Sequence, residues 1–321
     1  MSLLSICQSA AATAPVAVPT SIVGNTDETS ILLLNLANDA ADELARRPPG
    51  GWVAMIREYD FTTKATTAQS GTIANVGGVA VISGLSGVNG TVAPYTWQAS
   101  GTGVANNSIV TAVTSSTVTL SLPATSTGAG TFTFGQSDYA LPSDFQRPVD
   151  NTFWDRARFW SMRGPQSPQQ WQLYKSSVIG RASIQRRYRF RSIRNSTGAP
   201  QGTYLSIDPL PLDNGSQLVF EYVSNGWCEN VSTGAPQSQW LLDTDVGVLD
   251  EYLLRLSMKW RLLRRLGLAY SEELDEYERQ VDKAMAVDGG SAVLDMTPTN
   301  QLSYLSPWNI PESGFGGVTG Y

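Results

Sequence analysis

Three stretches of the chain place apolar residues at helical spacing. Between Asn25 and Arg47, the residues Ile31, Leu34, Ala37, Ala41 and Leu44 recur every three or four positions. Asn25 followed three residues later by Glu28 reads as the capped start of that helix. Arg46 and Arg47 suit its C-terminal dipole, and Pro48-Pro49-Gly50 stops it. Val248–Leu266 carries Leu249, Tyr252, Leu253, Leu256, Trp260 and Leu263 on one face, with Gly267 as the stop. Ser271 opens a third helix through Leu274, Tyr277, Val281 and Met285, closed by Gly289-Gly290. The basic residues of 248–266 face an acid-rich 271–288, the charge balance of an αα-hairpin. Residues 2–24 predict a short helix and an extended arm through Pro15 and Pro19. Ser167-Pro168-Gln169-Gln170 opens a fourth short helix, with a capping serine, proline at the first position and glutamine at the third.

Elsewhere the pattern is that of strands. Trp52–Thr63, Ser183–Arg194, Thr203–Ile207 and Gln217–Val223 are β-prone and bounded by turn residues such as Asp213-Asn214-Gly215. In Arg187-Tyr188-Arg189-Phe190-Arg191, strand alternation puts three guanidiniums on one face and two aromatic rings on the other. The arginine face suits phosphate contact, or equally a sheet surface turned to solvent or to an acidic neighbouring subunit.

Charge changes this picture most in one place. Ala65–Ser137 contains no Asp, Glu, Lys, Arg or His, although the whole chain carries 22 basic and 28 acidic residues. Inside it, short β-prone runs (Val79–Ile82, Ile109–Val113, Thr117–Leu122, Thr131–Phe134) alternate with Gly-rich turns, the pattern of a small antiparallel sandwich or barrel. The flanks suggest an insertion: the strand reaching Phe61-Thr62-Thr63 resumes at Gln136–Leu141, so removal of the block leaves a hairpin. The expected division is therefore 1–64 as arm, helix and first strand, 65–137 as an inserted β domain, 138–290 as β region and helical hairpin, and 291–321 as an extended tail. The expected fold class is α+β: a helical core of N-terminal helix and C-terminal αα-hairpin, an antiparallel β region and the inserted all-β domain.

Composition narrows the chemistry. The chain has no histidine, which removes Ser-His-Asp and Cys-His nucleophile pairs and most zinc clusters. Two distant cysteines, Cys7 and Cys228, make no disulfide framework and suit a reducing compartment. No apolar run approaches the ~18 residues of a membrane span, and Met1–Ala14 lacks the basic flank of a signal peptide. Asp243-Thr244-Asp245 has the donor chemistry for a hard cation, but acids before a helix start also answer its dipole, and no metal site is assigned. No carboxylate stands out as paired for glycan hydrolysis. No enzyme activity, cofactor or membrane is expected.

Several words of the host, in order, resemble the head-to-tail adaptor proteins of tailed bacteriophages, the group of the tail tubular protein A of short-tailed phages. They are Leu34-Asn35-Leu36-Ala37-Asn38 through Leu44-Ala45-Arg46-Arg47, then Trp52 and the strand with Phe61; Tyr139-Ala140-Leu141-Pro142-Ser143-Asp144-Phe145; Gly164–Trp171; Phe220-Glu221-Tyr222-Val223-Ser224-Asn225; and Lys259-Trp260-Arg261-Leu262-Leu263 with Tyr277-Glu278. The resemblance covers most of 20–64 and 136–290, and neither 65–135 nor, clearly, the tail. It implies a structural virion protein, assembled in the host cytoplasm, that forms a ring of about twelve copies beneath the portal. Such a ring extends the DNA channel and seats the tail nozzle or another tail protein. Genomic DNA passes through it without specific binding.

On that implication Tyr304, Trp308, Phe315 and Tyr321 are candidates for docking to the portal. Arg187, Arg189 and Arg191 are candidates for the subunit interface, since a lumenal arginine strand repeated round a ring would hold DNA. Glu272, Glu273, Asp275 and Glu276 are candidates to face the channel. The charge-free block is expected to project outward, toward capsid, fibre or a host glycan. The alternative is a tail-fibre or capsid-decoration protein whose β block is the main, host-binding domain.

Overall fold

A computed structural model of the chain describes residues 2–177, 183, 185–194 and 200–288. In chain order, α1 (Leu3–Ala11) and α2 (Glu28–Arg46) lead through a 3-10 turn at Val53–Met55 into β1 (Ile56–Thr62). There follow β2 (Gln69–Val76), β3 (Val79–Ser83), β4 (Trp97–Gly101), β5 (Val110–Val113), β6 (Thr117–Leu120) and β7 (Gly128–Gln136). Next come β8 (Asp138–Ala140), β9 (Phe145–Pro148), β10 (Trp154–Asp155), β11 (Trp160–Ser161) and α3 (Pro168–Ser176). Three longer strands, β12 (Arg187–Arg194), β13 (Pro200–Asp208) and β14 (Gln217–Ser224), precede the short β15 (Cys228–Glu229), β16 (Pro236–Gln237) and β17 (Val246–Gly247). The helices α4 (Glu251–Arg265) and α5 (Ser271–Asp288) come last.

The expected helical core is not what organises this chain. Its described residues are mostly antiparallel sheet, in assemblies of three to six strands, with five α-helices beside them. The sequence understates the sheet for a physical reason. Long amphipathic helices announce themselves by local periodicity, whereas strands of two to nine residues depend on partners far away in the chain. The expected hairpin between Phe61 and Tyr139 is likewise absent. β1 lies beside β14, and β8 pairs with β13 through Tyr204↔Ala140, Leu205↔Tyr139 and Ser206↔Asp138.

The chain divides into two compact units, the first built from residues up to Glu58, Ser143–Val149 and Glu221 onward, the second from Tyr59–Pro142 and Asp150–Phe220. In the first, α1 and α2 pack on α4, and α4 packs on α5. Leu33, Leu44, Trp227, Met258, Leu262 and Tyr277 are among the side chains closing one apolar core. Both thiols lie in it, and burial pushes Cys7 and Cys228 up to about 12. The N-cap of α2 is Asp27, not Asn25; the Asn25 side chain instead accepts from the Asp27 N–H in a turn ahead of the helix. Asp243 and Asp245 act as backbone acceptors: Asp243 takes the N–H groups of Ile22 and Val23, and Asp245 those of Leu241 and Leu242. Gly267 follows α4 with φ +73°, the left-handed conformation that ends helices without strain only at glycine.

In the second unit, the charge-free block forms a six-stranded antiparallel sheet in the order β4-β7-β2-β3-β6-β5. It nearly closes on itself: a bridge joins Gln98 to Ile109, and Tyr95 N–H and Ala99 N–H donate to the carbonyls of Val110 and Ser108. Ile73, Ile82, Val110, Leu120, Phe132 and Phe134 fill this barrel. Its two ends are pinned together, with Gln136 N–H donating to Lys64 O and Thr66 N–H to Phe134 O, each at 2.8 Å. Gly135 sits in that joint because a Cβ there would lie 2.1 Å from the carbonyl of Pro211. Outside the barrel, Phe153 stacks between Tyr188 at 3.9 Å and Phe220 at 4.5 Å, and Phe61 packs on Tyr139 at 4.8 Å.

Candidate functional site

The arginine strand β12 is built as its alternation predicts. Tyr188 and Phe190 turn to the aromatic cluster of Phe153 and Phe220, so the odd-numbered arginines emerge on the other face. That face is covered by α3. The helix starts at a full capping box: Ser167 accepts from the Gln170 N–H, and the Gln170 side chain accepts from the Ser167 N–H. Trp171, Tyr174 and Lys175, one turn of α3, then meet the arginines. Arg187 lies 3.8 Å above the Tyr174 ring, and Arg189 and Lys175 lie 4.9 and 5.4 Å from the Trp171 ring. Such contacts contribute about 0.5–2 kcal/mol each, the larger value where water is excluded.

Two of the three arginines are also matched by buried carboxylates of their own unit. Arg191 grips Asp138 through two 2.8 Å hydrogen bonds, and Ser137 and Ser206 donate to the same carboxylate. Asp208 sits 3.5 Å from Arg187 and 2.6 Å from Lys175. Arg186, on the opposite alternation, is buried against Asp155 at 2.7 Å and Asp213 at 2.8 Å. Arg189 differs. Among the described residues its buried Nε meets no acceptor, and burial, with Arg191 beside it, holds its guanidinium below the ordinary arginine range against the smaller pull of Asp138. The subunit-interface candidates Arg187, Arg189 and Arg191 thus form a strand with one unmatched charge.

That charge lines a groove of about 160 Å³. One wall is the barrel seam, with Gln98 and Asn107; another is α3, with Gln172 and Lys175; Arg189, Arg191, Asp138 and Ser206 lie along it. The sequence showed the alternation but not the groove. Its walls come from segments 98–107, 171–175 and 189–206, and no local signal links them.

The acidic candidates lie on α5, in the other unit. Glu273 meets Lys259 of α4 at 2.8 Å, and Glu276 accepts from the Tyr252 hydroxyl at 3.1 Å. Glu272 and Asp275 are exposed. The same helix closes onto α2: Arg47 donates to both oxygens of Glu278 at 2.7 and 2.5 Å, and Tyr277 to Glu43 at 2.6 Å. Glu43 also pairs with Arg47 and lies 3.7 Å from Arg261 of α4. Arg47 thereby holds the Glu278 carboxyl below the usual range. A cleft of about 410 Å³ in this unit has Met55 and Trp227 in its lining beside Asp39, Asp42 and Arg46, but Asp42 and Arg46 pair with each other at 2.9 Å. Among the described residues no group of three or more acids or cysteines has metal-ligand geometry, and no helix is long and apolar enough to cross a membrane. The docking candidates Tyr304, Trp308, Phe315 and Tyr321 lie outside the described residues.

No family model matches the chain, and comparison with curated proteins finds no match either.

Proposed function

We propose that this chain is a structural protein of a tailed-phage virion, a head-to-tail adaptor that assembles as a ring at the portal and extends the DNA channel. One observation carries the reading. The adaptor-like words are scattered over more than two hundred positions, yet the first and the last of them meet in one network. Arg47 ends the run Leu34–Arg47 of the first word, at the C-cap of α2; Arg261, on α4, and Tyr277-Glu278, on α5, both belong to the last. Through Glu43 these residues bond to one another. A chance scatter of short matches has no reason to converge in space. The reading rests on this network and not on a helical fold, since the chain is mostly sheet.

Two features suit assembly. Glu272 and Asp275 leave acidic charge unspent on α5, which lets a channel wall repel phosphate rather than hold it. Trp154 and Phe159, on the β10–β11 hairpin, are 39% and 63% exposed, the kind of aromatic surface that protein contacts bury. Negative-stain images of the purified protein, alone and mixed with the portal of its phage, test the proposal. A ring of about twelve subunits seated on the portal is the expected result. Trimers that ignore the portal would instead establish the tail-fibre or decoration reading.

A further inference from the structure

The groove beside Arg189 has the composition of a binding site. The Arg189 guanidinium is half-buried, its Nε is buried with no acceptor among the described residues, and two further arginines on the same strand raise the cost of that charge. The neighbouring acids do not relieve it: Asp138 is saturated by Arg191, Ser137 and Ser206, and Asp208 is shared by Arg187 and Lys175. Trp171 backs the guanidinium and fixes it at the groove. Arg191, Lys175 and Asp138 also line it, but Arg191 is paired with Asp138 and Lys175 with Asp208, and the other polar groups of the lining are neutral and hydrogen-bonding. Gln98 and Asn107 come from the barrel, and Gln172 from α3. Asn107 spends its amide N–H on the carbonyl of Lys175, which leaves its oxygen as an acceptor for a hydroxyl.

The occupant is constrained by these groups. It needs one negative charge for Arg189. A second charge, or a phosphate chain, would face Asp138, which lines the same groove. It needs hydroxyls or amides to answer three carboxamides, more than a bare carboxylate offers. It must fit about 160 Å³, the scale of one sugar ring. We propose that this groove binds a monoanionic sugar unit, a uronic acid or a sugar of equivalent carboxylate chemistry, with Arg189 as its charge partner and the amides of the inserted barrel as its hydroxyl readers. The barrel then contributes neutral recognition groups to a charge supplied by the host strand. Nothing in this site requires the ring assembly proposed above.

Calorimetric titration of the full-length protein tests it, with glucuronic acid as probe and glucose and acetate as comparators. Glucuronic acid is expected to bind saturably, with glucose and acetate each about tenfold or more weaker, because each lacks one half of the recognition. Arg189→Gln should reduce glucuronate affinity by about tenfold or more, and added salt should weaken the wild-type interaction. Asn107→Ala, at an exposed position of the barrel, provides a second variant and should weaken glucuronate while leaving acetate unchanged. Absence of saturable glucuronate binding to the wild type overturns the proposal, whatever the variants do. Equal affinity for acetate overturns the sugar class. Ring formation on the portal is scored separately, so neither result decides the other.

Discussion

The barrel and the helical cluster of the first unit solve the same problem with opposite means. Each ties together segments distant in sequence. The barrel does so with no ionised side chain between Ala65 and Ser137, relying on backbone ladders and a filling of Ile, Val, Leu and Phe. The helical cluster adds to its apolar core a charged network of Glu43, Arg47, Arg261 and Glu278. Hydrophobic burial and ladder hydrogen bonds are indifferent to ionic strength near neutral pH, while partly exposed ion pairs are screened. One region is therefore built to hold regardless of its ionic surroundings, and the other can be tuned by them.

The comparison breaks most sharply at the barrel filling. Phe132→Ala removes a fully buried ring, and is expected to cost about 3–5 kcal/mol in chemical denaturation, equally at low and high salt. A salt-dependent loss would show that the barrel leans on charged neighbours. Second in size is Asp138→Ala, at the base of the barrel, which strands Arg191 and two hydroxyls. A loss of about 2–3 kcal/mol is expected by the same measurement. Arg47→Ala in the helical cluster should cost only about 1 kcal/mol, because its partners are partly exposed, and the loss should shrink in 1 M salt. The smallest effect is one of pH. Glu278 titrates lower in the folded protein than unfolded, so its contribution is complete above the ordinary glutamate range and disappears as pH falls through the depressed folded value. Hydrogen exchange across that acid window should show α5 loosening before the barrel strands. Simultaneous loss would erase the distinction.

How much of this could be read in the sequence follows the same divide between local and distant causes. The capping box of α3 was legible because four consecutive residues make it. The helix α5 was legible from Leu274, Tyr277 and Val281, whose spacing needs no partner. The absence of charge marked the barrel block, and four of its strands carry obvious β-branched runs. β2 and β4 do not. Gln69-Ser70-Gly71-Thr72 and Gln98-Ala99-Ser100-Gly101 carry no such run and become strands by pairing with β7, which lies between them, β2 pairing with β3 as well. The hairpin expected at Phe61 and Tyr139 failed for that reason too, since β14 and β13 were the better partners. At the groove, the alternation of Arg187, Arg189 and Arg191 was readable. Which of them lacks a carboxylate was not, because Asp138 and Asp208 reach the strand through β8 and β13.

The two buried cysteines have a practical consequence. A thiol near 12 is almost wholly protonated at neutral pH, and Cys7 and Cys228 are also shielded from solvent. The folded wild-type chain should therefore behave toward maleimides as if it had no cysteine. A single cysteine introduced at Asp275 or at Phe159 would become an address for a fluorophore or a crosslinker without any need to mutate the native pair. The positions of neighbouring copies in an assembly could then be mapped by pairwise distances in the otherwise unaltered protein.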